Sequence, residues 1–129
     1  MCMKEQKFFI CEHCGNLVGM VLNQGVPLVC CGEKMKELVA NTVDAAVEKH
    51  LPDIKVDGNT ITVSVGSVLH PMTDEHHITY IYVETKVGGQ RKCLNIGSEP
   101  VASFSFINDE PVNVFAYCNL HGLWRTQIN

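Results

Sequence analysis

Four cysteines crowded into the first quarter of the chain constrain its fold more than any other feature. Cys11 and Cys14 form a Cys-x-x-Cys turn, and Cys30 and Cys31 are adjacent. The chain has seven cysteines in 129 residues, an odd count, whereas secreted disulfide frameworks usually count even. Met1 to Lys7 is mixed polar and charged and lacks the basic start and apolar core of a secretory signal. The expectation is a cytoplasmic protein with reduced thiols, where clustered cysteines suggest metal ligation. A head of about 35 residues cannot bury much core, so a metal would have to supply its stability.

Four thiolates can surround one metal tetrahedrally. Gly15 and Gly32 each follow a cysteine, and glycine lets the backbone curl so that its amides point at sulfur. Spaced pairs are the ordinary arrangement, and the adjacent Cys30–Cys31 pair should splay the sulfurs and distort the tetrahedron. A disulfide between those two would need a strained ring. Tetrathiolate chemistry suits zinc as well as iron, so a purely structural zinc site stays open. His13 lies between two of the cysteines and is expected to point into solvent. Cys2 is expected in a loose terminus and Cys93 on a strand; neither fits a ligand pattern.

The histidines lie mostly beyond the head, at positions 50, 70, 76, 77 and 121. The chain therefore divides, near residues 36 to 41, into a head, 1–37, and a body, 38–129. In the head, Phe8 to Ile10 and Leu17 to Leu22 read as strands, followed by a turn at Asn23-Gln24-Gly25 and Pro27. The body is rich in β signals. Asp57-Gly58-Asn59 is a hairpin turn between Ile54–Val56 and Thr60–Val65. Ile78 to Thr85 is β-branched and aromatic, and Gly88-Gly89 turns into Arg91 to Ile96. Val101 to Ile107 alternates, with Ala102, Phe104 and Phe106 on one face and Ser103 and Ser105 on the other. Val112 to Tyr117 and Leu123 to Gln127 complete the set. Short strands at even spacing predict an immunoglobulin-like β-sandwich. Val43 to Lys49 allows at most a turn or two of helix.

Charge excludes some partners. A net charge of -4 and a pI near 5.8 give no footprint for nucleic acid or an anionic membrane surface. No apolar run is long enough to span a bilayer.

Single loop histidines are usually polar surface, and a buried cysteine is usually a small hydrophobe. His50, His70, His76, Cys118 and His121 gain meaning together, because strand ends and loops let distant ligands converge. Adjacent strand residues face opposite ways, so His76 and His77 cannot readily bind one metal, and His77 is expected to be exposed.

The run Cys11-Glu12-His13-Cys14-Gly15 followed by Val29-Cys30-Cys31-Gly32 resembles the desulforedoxin domain over about residues 5 to 37. Glu48-Lys49-His50-Leu51-Pro52, His70-Pro71-Met72, Glu75-His76 and Cys118-Asn119-Leu120-His121 match, in order and spacing, the catalytic domain of superoxide reductases over residues 38 to 129. The whole chain thus resembles the two-iron superoxide reductases of the desulfoferrodoxin family. The resemblance implies a mainly β fold, a small desulforedoxin-like domain before the sandwich, and two mononuclear non-haem irons. One iron would be held by Cys11, Cys14, Cys30 and Cys31. The other, ferrous and open at one position, would be held by His50, His70, His76, His121 and the Cys118 thiolate; family position favours His76 over His77.

An axial thiolate pushes electron density through a metal, as in thiolate-ligated haem. The implied activity is inner-sphere, one-electron reduction of superoxide to hydrogen peroxide without dioxygen release. Lys49 would attract superoxide and help deliver protons, and Glu48 would fill the open position after oxidation. Rubredoxin or a similar donor would restore the ferrous state, and a homodimer is a family expectation. The alternative is a non-catalytic iron electron carrier, against which the open five-ligand set argues.

Overall fold

The computed structural model describes residues 5 to 128; Cys2 lies outside the described residues. Its contacts separate two units, one ending at Val39 and one beginning at Ala40.

In the first unit β1 (Phe8–Ile10) pairs antiparallel with β2 (Leu17–Gly19) on one side and β5 (Lys36–Leu38) on the other. The strand expected to reach Leu22 stops at Gly19, and the Asn23 side chain then accepts the Gly25 amide at 2.9 Å in a local turn. A second ribbon joins β3 (Val29–Cys30) to β4 (Glu33–Lys34), with Cys30 opposite Glu33. The two residues between them, Cys31 (φ 53°) and Gly32 (φ 76°), are both left-handed, as a type I′ hairpin turn requires. The adjacent cysteines are therefore the last residue of a strand and the first of its turn.

The second unit opens with one helical turn, α1 (Val47–His50), which has no side-chain N-cap. Two sheets follow. One has the order β10 (Val101–Ser105), β7 (Thr60–Val65), β6 (Pro52–Asp57); the other runs β12 (Gly122–Gln127), β11 (Pro111–Cys118), β8 (Ile78–Thr85), β9 (Gly89–Cys93). All pairings are antiparallel. The core follows the two-residue period of the strands. Ile61, Val63 and Val65 of β7 meet Ile81 and Val83 of β8, Phe104 of β10, and Val114, Ala116 and Cys118 of β11. Each such large side chain contributes roughly 1.5–3 kcal/mol on burial. The same period that seats Val114 and Ala116 in the core delivers the Cys118 sulfur to the inner face at the strand end.

The outward serines of β10 hydrogen-bond to β7, Ser103 with Thr62 at 3.0 Å and Ser105 with Thr60 at 3.2 Å. Phe106, just past the strand, stays buried because its amide donates to the Asn59 carbonyl at 2.9 Å. The strand expected at Arg91 to Ile96 is instead Gly89 to Cys93. Gly89 pairs with Glu84 at the start of the strand, and a Cβ there would collide with the Tyr82 hydroxyl. No helix among the described residues is long and apolar enough to cross a membrane.

Candidate metal centres

In the first unit the four sulfurs of Cys11, Cys14, Cys30 and Cys31 lie within 4.8 Å of one another. Cys11 follows β1, and its own amide donates to the Asn16 carbonyl at 2.8 Å while Gly15, at φ 82°, donates to the Cys11 carbonyl at 2.9 Å. This tight loop aims the Cys14 and His13 amides at the Cys11 sulfur, and chiefly the Cys14 amide lowers the Cys11 thiol to about 6. Cys31 behaves oppositely: contact with the Cys14, Cys11 and Cys30 sulfurs pushes it up to about 12. Four thiolates repel, so all four ionise only around a cation. Asn16 Nδ2 donates toward Cys30 Sγ at 3.9 Å. His13 is exposed, and its Nε2 lies 3.0 Å from Glu33 Oε1, tying the two cysteine loops together.

The second cluster forms at one end of the sandwich. His50 ends α1, His70 follows β7, His76 precedes β8, Cys118 ends β11 and His121 lies in the turn to β12. One ligand atom from each of the five lies within 4.8 Å of the others. His76 lies outside the strand, since β8 begins only at Ile78. His76 is held instead by Thr73, whose amide donates to the His76 carbonyl at 2.9 Å and whose hydroxyl accepts the His76 amide at 3.1 Å.

His77 is half-buried, not exposed as expected. Its Nδ1 donates to the Thr73 carbonyl at 2.9 Å, and its amide donates to Asn119 Oδ1 at 2.9 Å. His77 thus secures the loop that carries His76. Cys93 is exposed at the end of β9, the strand position expected for it. Glu48 and Lys49 lie exposed on α1, next to His50.

Hydrogen bonds fix which nitrogens face inward. His50 Nδ1 donates to the Ala46 carbonyl and His70 Nδ1 to the Pro71 carbonyl, each at 2.7 Å, leaving Nε2 of both rings for the cluster. His121 turns Nδ1 inward, 3.1 Å from His50 Nε2 and 3.8 Å from Cys118 Sγ. Nε2 of His70 and Nε2 of His76 are buried without a hydrogen-bond partner. A buried polar atom left unpaired is costly, and a metal ion would satisfy both.

The electrostatics fit the same answer. Burial lowers His70 to about 4 and also lowers His50 and His76, so the rings are neutral and their lone pairs free at neutral pH. The Lys49 charge adds to the lowering of His50 and His76. Burial pushes the Cys118 thiol up, although the Leu120 and His121 amides oppose the rise; a cation alongside would restore the thiolate. A quartet of imidazoles with one thiolate suits a borderline divalent transition metal.

Several residues that hold this arrangement carry no ligand signature. Asn119 joins the Cys118–His121 turn to the His76 loop: its amide donates to the His77 carbonyl at 3.2 Å and its Nδ2 to the Glu75 carbonyl at 2.9 Å. Gly66 lies under α1, where a Cβ would come within 2.6 Å of the Glu48 carbonyl and 2.8 Å of the Leu51 carbonyl. The Glu48 carbonyl also accepts from the Val68 amide at 2.9 Å and the Ser67 hydroxyl at 3.3 Å. The Trp124 indole stacks on the His50 ring. The Cys-Asn-x-His spacing draws the eye to the Asn119 position, but nothing in the linear sequence marks Gly66 or Trp124.

A small tetrathiol knuckle and a β-sandwich with a histidine–thiol cluster at one end define a class of protein with two separate groups of candidate metal ligands. Comparison with known sequences gives the particular family: its Desulfoferrodoxin profile matches residues 42–127, and its Desulfoferrodoxin N-terminal domain profile matches residues 3–38. The chain belongs to the desulfoferrodoxin family. A desulfoferrodoxin homolog of Archaeoglobus fulgidus is 45% identical over 116 residues, covering 90% of this chain and 92% of its own. A desulfoferrodoxin of Syntrophotalea carbinolica is 45% identical over 91% of this chain and 92% of its own. The crystal structure of the superoxide reductase from Treponema pallidum superposes with a TM-score of 0.82 at 37% identity, covering 96% of this chain and all (100%) of that one.

Proposed function

We propose that the chain is a superoxide reductase with two irons, one held by Cys11, Cys14, Cys30 and Cys31 and the other by His50, His70, His76, Cys118 and His121. The domains then correspond to residues 1–37 and 38–129. The observation that carries the reading is the second cluster: two buried and two half-buried imidazoles, a buried thiol among them, and two ring nitrogens with no partner but the space they share. Iron held by these five residues would supply the single electron that turns superoxide into peroxide.

The residues do the remaining work. Each superoxide takes one electron and two protons to become hydrogen peroxide, so both charge and protons must reach the site. The overall charge of -4 repels the anion, and attraction must be local. Lys49, exposed beside His50 and felt electrostatically at two of the rings, draws superoxide in and organises proton delivery. Glu48, its neighbour on α1, is the carboxylate available to the centre between turnovers. Cys118, fully buried, would offer its thiolate to that iron from within the core. A rubredoxin-like donor returns the electron, and the protein works as a cytoplasmic homodimer.

Reducing the iron-loaded protein anaerobically, pulsing it with superoxide and counting products tests this reading. One peroxide per superoxide, fast oxidation of the second iron and no dioxygen are expected. Slow or absent oxidation would leave an electron carrier in its place.

A further inference from the structure

We infer that Trp124 is a positioning residue for the second metal centre, holding two of its ligands at once. The inference rests on the reading of the five residues as a metal site. Trp124 is 3% exposed on β12. Its indole stacks on the His50 ring, with centroids 4.9 Å apart and planes 28° from parallel. The same indole donates from Nε1 to the His121 carbonyl at 3.1 Å. His50 and His121 are 71 residues apart, and their facing nitrogens are 3.1 Å apart.

The two ligands need this help for different reasons. His50 is anchored at Nδ1 by the Ala46 carbonyl, but that carbonyl lies just outside a four-residue helix with no side-chain cap. A short uncapped turn is weakly stable on its own, so a stacked ring that limits rotation of His50 has something to fix. His121 is in the opposite position. It presents Nδ1 to the cluster, so the nitrogen that anchors His50 and His70 to carbonyls is used up. Nδ1 is bonded to the ring carbon nearest the backbone, so any shift of the His121 main chain moves the ligand atom almost one for one. The Trp124 donor holds that main chain. Outer partners that orient ligating histidines are worth about 10–100-fold in metal affinity.

Two variants separate the contacts. Trp124→Phe keeps an aromatic plane against His50 and removes the donor to His121. Trp124→Leu removes both. In the full-length chain, ferrous affinity is read by competition with a chelator, and the oxidised centre is read by its Cys118 thiolate charge-transfer band. The absorption of the tetracysteine centre serves as the internal control.

Trp124→Phe should loosen ferrous iron about fivefold, the worth of one neutral hydrogen bond. Trp124→Leu should loosen it at least about tenfold. Both should displace or broaden the Cys118 band and leave the tetracysteine absorption unchanged. A residue that merely fills the core would lower the melting temperature without moving the band of the fully loaded protein. Wild-type affinity and band in both variants overturn the inference. If Trp124→Leu does not fold, wild-type affinity and band in Trp124→Phe overturn it alone. A wild-type chain showing no thiolate band would instead overturn the metal-centre reading, and this inference with it.

Discussion

Cys118 illustrates how one residue serves fold and chemistry together. It is fully buried in the row Val114, Ala116, Cys118, so serine there is a small change of volume with a large change of ligand. Cys118→Ser should abolish the thiolate-to-iron band of the oxidised protein while the sandwich survives; a retained band would mean that another sulfur is the ligand. Lys49→Ala should slow superoxide capture and flatten its ionic-strength dependence, since a local attraction screened by salt has been removed. An unchanged rate would take Lys49 out of the reaction. The lowered histidines also predict a pH effect on the metal-free protein. His70 titrates near 4 when folded, against an ordinary 6.5. As pH falls through 6.5, the unfolded chain takes up a proton that the folded chain refuses until about 4. Stability should therefore decline across that window. His50 and His76 shift the same way. The urea midpoint at pH 5 should lie below that at pH 7, and His70→Gln should reduce the difference. At this scale the candidate ligands were legible because the motifs display them in order. Trp124 was not, because its role depends on a ring and a carbonyl brought together by folding.

The elements show the same boundary between pattern and contact. β7 and β8 have the bounds read from sequence, because alternating or β-branched runs of six to eight residues carry the two-residue period clearly. The β3–β4 ribbon was missed, since strands of two residues have no period to detect. Its turn depends on left-handed φ at Cys31, which a cysteine does not announce. α1 is likewise too short for a helical pattern, yet it carries Glu48, Lys49 and His50. Its seat is Gly66, where a Cβ would meet two main-chain carbonyls that have nowhere to go. Gly66→Ala should cost about 1–3 kcal/mol, the usual range for overpacking, seen as a lower urea midpoint. It should also slow superoxide capture, because the displaced segment bears Lys49. A variant that loses stability but captures superoxide at the wild-type rate would show that the seat supports the fold and not the approach of the anion.

At the scale of the whole molecule, the two units are stabilised by different means. The body has a core of large side chains from both sheets. In the head, Phe8 and Cys11 are the buried residues among those described, while Val21, Leu22, Val26 and Val29 are 87%, 64%, 73% and 66% exposed. A head with so little core should depend on its metal for folding. The sequence already suggests a boundary near residues 36 to 41, since the cluster of four cysteines ends where the strand-rich pattern begins. Cys30→Ser removes one of the four thiolates without touching the sandwich. The head should then lose its tetrathiolate absorption and its dispersed amide signals in nuclear magnetic resonance. The body should keep its own amide signals, the Cys118 band and reaction with superoxide. Zinc loaded into the head of the unaltered chain should restore the head's amide signals without iron's colour, separating its part in folding from any part in electron transfer. If zinc-loaded protein still turns over with a reductant at the rate of the two-iron form, the head's iron is not on the electron path. If Cys30→Ser unfolds the body as well, the two units form one cooperative structure and the metal in the head stabilises the entire chain.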